Sequence, residues 1–339
     1  MFPYIILVIV ALFLCKKVGK NDAYLIPLWM FMSLFIGLRD GVGTDYESYT
    51  EIYKSYNFYL EIGFQCIVNF LNEKQCPVWT MFLSFATLTY FFMYAALYKN
   101  KNVNKYSSAL MLTLCTFSFI CNGVRQALAI SIFVFATRYI ENRKWYVFFP
   151  LIIFASLFHT SILICLPLYL LSNKSFKKYL YVIVYMLSFA FTAMDLRSLT
   201  TPFMFFIEGS DRYLALLDSD LYSGGYFSLG ILVIIINNVI LLWLALKTNM
   251  EQKYPLWFTL FFFSIVLMNM RVASPLFVRV QVIFGWFVYL LIPKISNSLG
   301  KQHRKLFIAY IILYILVTTI TYIFDPESKL YPYSFVSLL

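Results

Sequence analysis

Charge is what this sequence has least of. Lys, Arg, Asp and Glu make up 13% of its 339 residues, against about 25% in soluble domains. Apolar residues fill 61% of the chain and the mean hydropathy is +0.76. No soluble core could hide that many apolar side chains, so the composition excludes a soluble globular enzyme and points to an all-α polytopic membrane protein. Histidine is rarer still, with two in the chain, and the six cysteines show no ligand spacing. No metal cluster and no cofactor are therefore expected. Cys15, Cys115, Cys121 and Cys165 sit in hydrophobic runs as filler. Cys66 and Cys76 share one loop and would bridge there only if that loop faces an oxidising compartment. Sequence signatures of soluble catalysis are missing: there is no Walker A loop, dinucleotide fingerprint, H-E-x-x-H or nucleophile elbow. Nor is there a cytosolic soluble domain of the kind that serves nucleotide-sugar glycosyltransferases.

What the chain does have is apolar runs. Candidate spans are 2–15, 24–38, 77–98, 107–121, 124–140, 145–158, 160–171, 179–194, 226–246, 255–270, 275–292 and 306–324, about twelve transmembrane helices in a single integral-membrane domain, 1–339. The run Phe2 to Cys15 reads as a retained first span rather than a cleaved leader. Counting charges on alternate loops gives one set with 18 basic and three acidic residues and another with nine basic and 13 acidic. Lys and Arg collect on cytoplasmic loops, so the first set is inside. Topology thus explains the net charge of +11, and no nucleic acid partner is expected. The outside carries two larger loops, 39–76 and 195–225.

Polar residues inside the apolar runs are the functional candidates, because an ionisable group there costs about 2.5–3.5 kcal/mol. Asn122, Arg125, Gln126 and His159 meet that description. The span before His159, 145–158, is about 21 Å long against a hydrocarbon core of roughly 30 Å. His159 is then expected below the outer surface, with Arg125 at a matching depth on the same side, lining a recess or satisfying one another in a polar turn. Arg39 opens the first outer loop in RDGVGTDY, where Gly41 and Gly43 allow either a tight turn or backbone approach to an anion. Asp40 and Asp45 follow as a carboxylate base or as arginine partners. Arg212 lies in the second outer loop, and Arg271 and Arg279 flank the turn RVASPLFVR. Six of the eight outer basic residues before the C-terminal tail are Arg, whose fork suits a diphosphate better than the point charge of Lys. For each arginine an ion pair with a loop acid is the competing reading. Tyr46, Tyr49, Tyr53, Tyr56 and Tyr59 either stack on sugar faces or line the membrane interface.

Three stretches, GLRDGVGTDYESY, NGVRQALAISIFVFATRYIENRKW and FASLFHTSILICLPLYLL, resemble the EpsG family of bacterial polysaccharide polymerases, related to Wzy-type O-antigen polymerases. The resemblance spans roughly residues 30 to 295, and its distinctive pieces are N-x-x-R-Q and F-H-T-S. It implies a GT-C-like membrane glycosyltransferase architecture in the bacterial inner membrane, with the active site facing the periplasm or the outside. The implied substrates are undecaprenyl-diphosphate-linked glycans, as donor and as acceptor, joined into an O-antigen or exopolysaccharide. Membrane lipids, a flippase and a chain-length regulator are the further partners it suggests.

In the mechanism expected from these readings, the acceptor hydroxyl attacks the donor's anomeric carbon and lipid diphosphate leaves. Arg125 and Arg279, helped by Arg39, Arg212, Arg271, Gln126 and Asn122, would hold the diphosphate. His159, with Asp45 as second choice, would take the hydroxyl proton. The alternatives are another membrane transferase, such as an O-acyltransferase, and a flippase of the lipid-linked unit.

Overall fold

The computed structural model describes residues 1–55, 60–99, 104–170, 175–194, 196, 229–271 and 273–337. Helices dominate them, and their contacts divide the chain into two compact units, 1–166 with 300–339, and 167–299.

The first unit begins with α1 (Phe2–Val18), α2 (Leu25–Gly37), the two-residue strand β1 (Arg39–Asp40), α3 (Tyr46–Ser55), α4 (Ile62–Glu73) and α5 (Trp79–Lys99). It continues through α6 (Lys105–Cys115), α7 (Phe117–Asn122), α8 (Val124–Glu141) and α9 (Trp145–Ser156) into a 3₁₀ segment, Thr160–Leu170, in which the second unit begins at Pro167. Between Gln126 and Arg138, helix α8 carries no charged residue, and it is buried along almost its whole length, as expected of a helix at the centre of a bundle. Its small residues Ala127, Ala129, Ser131, Ala136 and Thr137 are all buried, which lets α5 and α9 pack against it. The expected span 107–121 divides into α6 and α7 at Thr116. There the Thr116 hydroxyl donates back to the Leu112 carbonyl at 2.6 Å, a bond that tends to bend helices.

The second unit holds α10 (Lys178–Ser188), a short 3₁₀ turn (Phe189–Ala193), α11 (Leu229–Lys247), the single turn α12 (Met250–Lys253), α13 (Pro255–Met270) and α14 (Pro275–Ser298). Tyr181 of α10 packs edge-on against Phe258 and Phe262 of α13, at 4.8 and 5.1 Å between ring centres. Asn269 donates to the Ser188 hydroxyl at 2.8 Å, and Gln281 ties α14 to Ser264 of α13 at 3.0 Å. Lys294 is buried with its ammonium 3.6 Å from the centre of the Tyr254 ring, where the ring face compensates the charge.

The chain then returns to the first unit as α15 (Lys301–Phe324) and ends on β2 (Ser334–Phe335), which pairs antiparallel with β1, Arg39 opposite Phe335. Tyr333 donates to the Phe35 carbonyl at 2.7 Å, Val336 N–H to Leu38 at 2.9 Å, and Tyr4 to the Leu330 carbonyl. The tail therefore clasps α1, α2 and the loop that follows them.

Burial is arranged as a bilayer requires. Phe2, Ile5, Ile9 and Phe13 on α1, and Leu306, Leu313, Leu316 and Ile320 on α15, are exposed. In water such stripes would be a liability; lipid removes it. Among the described residues, four helices, 79–98, 230–247, 276–298 and 301–324, have the length and apolar composition to cross a membrane. Shorter apolar helices stand at 22–37, 145–156, 160–170, 178–191 and 255–270. The chain is a helical, multi-pass membrane protein.

Loops from one charge set meet one another. Lys105 pairs with Asp22, and Lys178 reaches the Leu246 carbonyl at 2.6 Å, each contact joining two basic loops. Lys329 lies 3.0 Å from Glu47 and Thr44 N–H donates to Asn122 at 2.9 Å, joining loops of the other set. Cys66 and Cys76 are free thiols. The Cys76 N–H bonds to the Leu71 carbonyl, so Cys76 folds back beside a residue roughly 7–8 Å along α4 from Cys66, beyond the usual disulfide reach.

Candidate functional site

The loop after β1 is organised by Arg39. Its side chain is 1% exposed and its guanidinium donates to three carbonyls: Val42 at 3.1 Å, Ile36 at 2.8 Å and Cys121 at 3.0 Å. Phe82 lies under the guanidinium at 4.4 Å. A fork committed to three main-chain oxygens is not presented to a diphosphate, so Arg39 anchors the loop instead. Gly41 and Gly43 both have positive φ, 64° and 103°, the left-handed conformations that favour glycine. The Gly43 N–H donates to the Lys329 carbonyl at 2.8 Å and the Thr44 N–H to Asn122 Oδ1. The turn alternative therefore holds here, with these amides bound within the protein. Asn122 completes the junction by donating to the Tyr322 hydroxyl at 3.2 Å.

Helix α3 carries Tyr46, Tyr49 and Tyr53 on one face. Tyr46 stacks on Phe82 with ring centres 4.6 Å apart, while Tyr49 and Tyr53 are buried. Tyr53 donates to the Cys76 carbonyl at 2.8 Å. These three are packing residues rather than an open sugar platform; Tyr56 and Tyr59 lie outside the described residues. Asp45 stands exposed one helical turn before Tyr49 and accepts from the Thr44 hydroxyl at 3.3 Å.

The structure brings Arg125 and His159 together through a residue the sequence reading passed over, Glu61. Helices α4 and α5 form a hairpin in which Phe64 packs on Phe85 at 5.2 Å. That contact sets Phe64 about 9 Å down from the Trp79 end of α5, with the start of α4 slightly deeper. The Gly63 N–H donates to the Leu157 carbonyl at 2.7 Å, which locks this end of α4 to the end of α9. Glu61, at the N-cap position of α4, then faces the turn that follows α9. One carboxylate oxygen lies 3.3 Å from His159 Nδ1 and accepts from the Thr160 N–H at 3.4 Å. The other forms an ion pair with Arg125 Nη1. Arg125 Nε donates to the Tyr49 hydroxyl at 3.2 Å, and its guanidinium lies about 6 Å from the Tyr49 and Phe64 rings, at 6.0 and 5.8 Å.

His159 is 2% exposed and Arg125 8%. Arg125 occupies the first turn of α8, where the helix dipole disfavours a cation, and the Glu61 carboxylate offsets that cost. Burial raises the Glu61 carboxyl, but the bond with His159 and the charge of Arg125 outweigh it, leaving the group below its ordinary value of 4.5. An ionised, partly exposed carboxylate thus bridges a buried imidazole and a buried guanidinium.

The remaining candidates distribute as follows. Gln126 is buried beside Arg125 on α8. Arg271, at the end of α13, and Arg279, in the first turns of α14, are half-buried members of the second unit. Arg212 lies outside the described residues. Glu61 had one legible signal: it heads the mostly apolar run IGFQCIVNFL, an odd place for an unpaired acid.

A family model described as the EpsG family matches residues 22–335. No curated protein and no solved structure matches the chain. The family match takes in α2 through β2, and with them Glu61, Arg125 and His159; the chain belongs to the EpsG family.

Proposed function

We propose that this protein polymerises undecaprenyl-diphosphate-linked oligosaccharide repeat units into a surface polysaccharide at the outer face of the bacterial inner membrane. Membership of the EpsG family supports a polysaccharide polymerase. The observation that carries the reading is the gathering of Arg125, Glu61 and His159 into one buried cluster. The residues stand at the ends of three helices, α4, α8 and α9, and the loop charge count puts those ends outside.

The reaction needs little more than such a cluster can supply. The acceptor hydroxyl gives its proton to His159 as its oxygen bonds to the anomeric carbon of the donor. The bond from that carbon to the diphosphate breaks, and the diphosphate departs with the electron pair. Its negative charge makes it a competent leaving group, so the base and the alignment of the two substrates are the protein's main contributions.

The test is in cells. His159→Gln, present at wild-type levels, is expected to leave single repeat units on lipid carrier at the outer face and to abolish the long-chain ladder. Long chains at wild-type yield would refute the reading. Repeat units stalled on the inner face would identify a flippase instead.

A further inference from the structure

We infer that Glu61 is the positioning residue of the site: it fixes the His159 ring so that Nε2 takes the proton, and Arg125 serves chiefly to hold Glu61 ionised. The inference rests on the polymerase reading and assigns the part each of its members plays.

Geometry sets the tautomer. Glu61 Oε1 lies 3.3 Å from Nδ1; an ionised carboxylate can only accept, so it favours the tautomer with the hydrogen on Nδ1 and the lone pair on the buried Nε2. The same oxygen accepts the Thr160 N–H, which pins the backbone next to the ring. When Nε2 takes the hydroxyl proton, the resulting imidazolium sits against a carboxylate that is already in place. This is the arrangement by which a buried acid orients and stabilises the histidine of a hydrolytic triad.

Arg125 then has a different task from gripping diphosphate. Its Nη1 is engaged by Glu61 and its Nε by Tyr49, with Phe64 against the plane. Without that guanidinium, burial would favour the neutral Glu61 carboxyl, which is a poorer partner for an imidazolium. The three residues form a chain in which charge is set at one end and used at the other.

The experiment uses the full-length protein in nanodiscs with purified lipid-linked repeat units, measuring kcat, KM and thermal stability. Glu61→Gln keeps the shape of the side chain and removes its charge. It is expected to lower kcat by about 10²–10⁴-fold with KM nearly unchanged, while Glu61→Asp recovers part of the rate. Glu61→Gln also strands a buried guanidinium, so Glu61→Gln with Arg125→Gln is made alongside. That pair should regain stability without regaining kcat. Recovery of both would show that Glu61 is only structural and would overturn the inference. An active Glu61→Gln beside an inactive His159→Gln would overturn it too, yet leave the polymerase reading standing. Full activity in both would sink that reading itself.

Discussion

Arg39 and Arg125 belong to the same loop set, both are nearly buried, and the structure gives them opposite characters. Arg39 spends its donors on three carbonyls, whereas Arg125 meets a carboxylate. Their sequence neighbourhoods do not separate these fates. Which oxygen lies opposite a guanidinium depends on contacts across more than 60 residues of chain, from 125 back to 61. Pattern reading therefore found His159 and Arg125 as costly intruders in apolar runs but missed Glu61, whose run is short and whose loop holds other acids. The cluster also makes stability depend on acidity. Glu61 has a carboxyl below its ordinary value of 4.5 in the folded protein. Its stabilising contribution is therefore fully present above 4.5 and is lost as pH falls through the lower, folded value. Thermal unfolding followed between pH 7 and pH 3 should show a loss of stability below about pH 4.5. In Glu61→Gln this part of the loss should shrink. An identical acid profile in both proteins would mean that Glu61 is not a main source of the pH dependence.

At the level of elements, the site depends on how α4 meets α9. Gly63 brings the two together, since a Cβ there would stand 2.7 Å from the Leu157 carbonyl oxygen and 3.0 Å from its carbon. Backbone cannot swing aside as a flexible side chain would, so Gly63→Ala must push α4 away. The carboxylate of Glu61, two residues earlier, would move with it and lengthen its contact with His159. Polymerisation is expected to fall at least about tenfold, and stability by about 1–3 kcal/mol, as overpacking commonly costs. Gly300→Ala is the control, because nothing lies within 4 Å of its Cβ and both readouts should stay at wild-type values. A Gly63→Ala protein with unchanged polymerisation would show that the site tolerates displacement of α4. The sequence marked the loop 39–76 as complex but did not reveal the α3 and α4 helices inside it. In α4, Phe64, Val68 and the hydrogen-bonded Asn72 face inward, while Ile62, Cys66 and Phe70 are exposed. Both helices are amphipathic but short, so a search for long, uniformly apolar runs passes over them.

Across the whole molecule, the cluster meets repeat units that have crossed the membrane only when the loop set containing 39–76 faces outward. Charge counting makes that assignment, and the contacts that join Lys105 to Asp22 and Lys329 to Glu47 keep loops of each set together. Cys66 turns the assignment into a measurement. It is an exposed free thiol on α4 beside a groove of about 610 Å³ lined by Ile67, Phe70, Leu71, Leu83 and Leu88. The half-buried Cys76 is replaced by serine so that one accessible thiol remains in the loop. A membrane-impermeant maleimide applied to intact spheroplasts should then label Cys66. A cysteine introduced as Lys301→Cys, an exposed position of the basic set, should react only after permeabilisation. The reverse pattern would put Glu61, Arg125 and His159 at the cytoplasmic face, away from any lipid-linked repeat unit that has already crossed the membrane. A polymerase acting after translocation could not use such a site, so the sidedness of one thiol bears on the chemistry assigned to the imidazole.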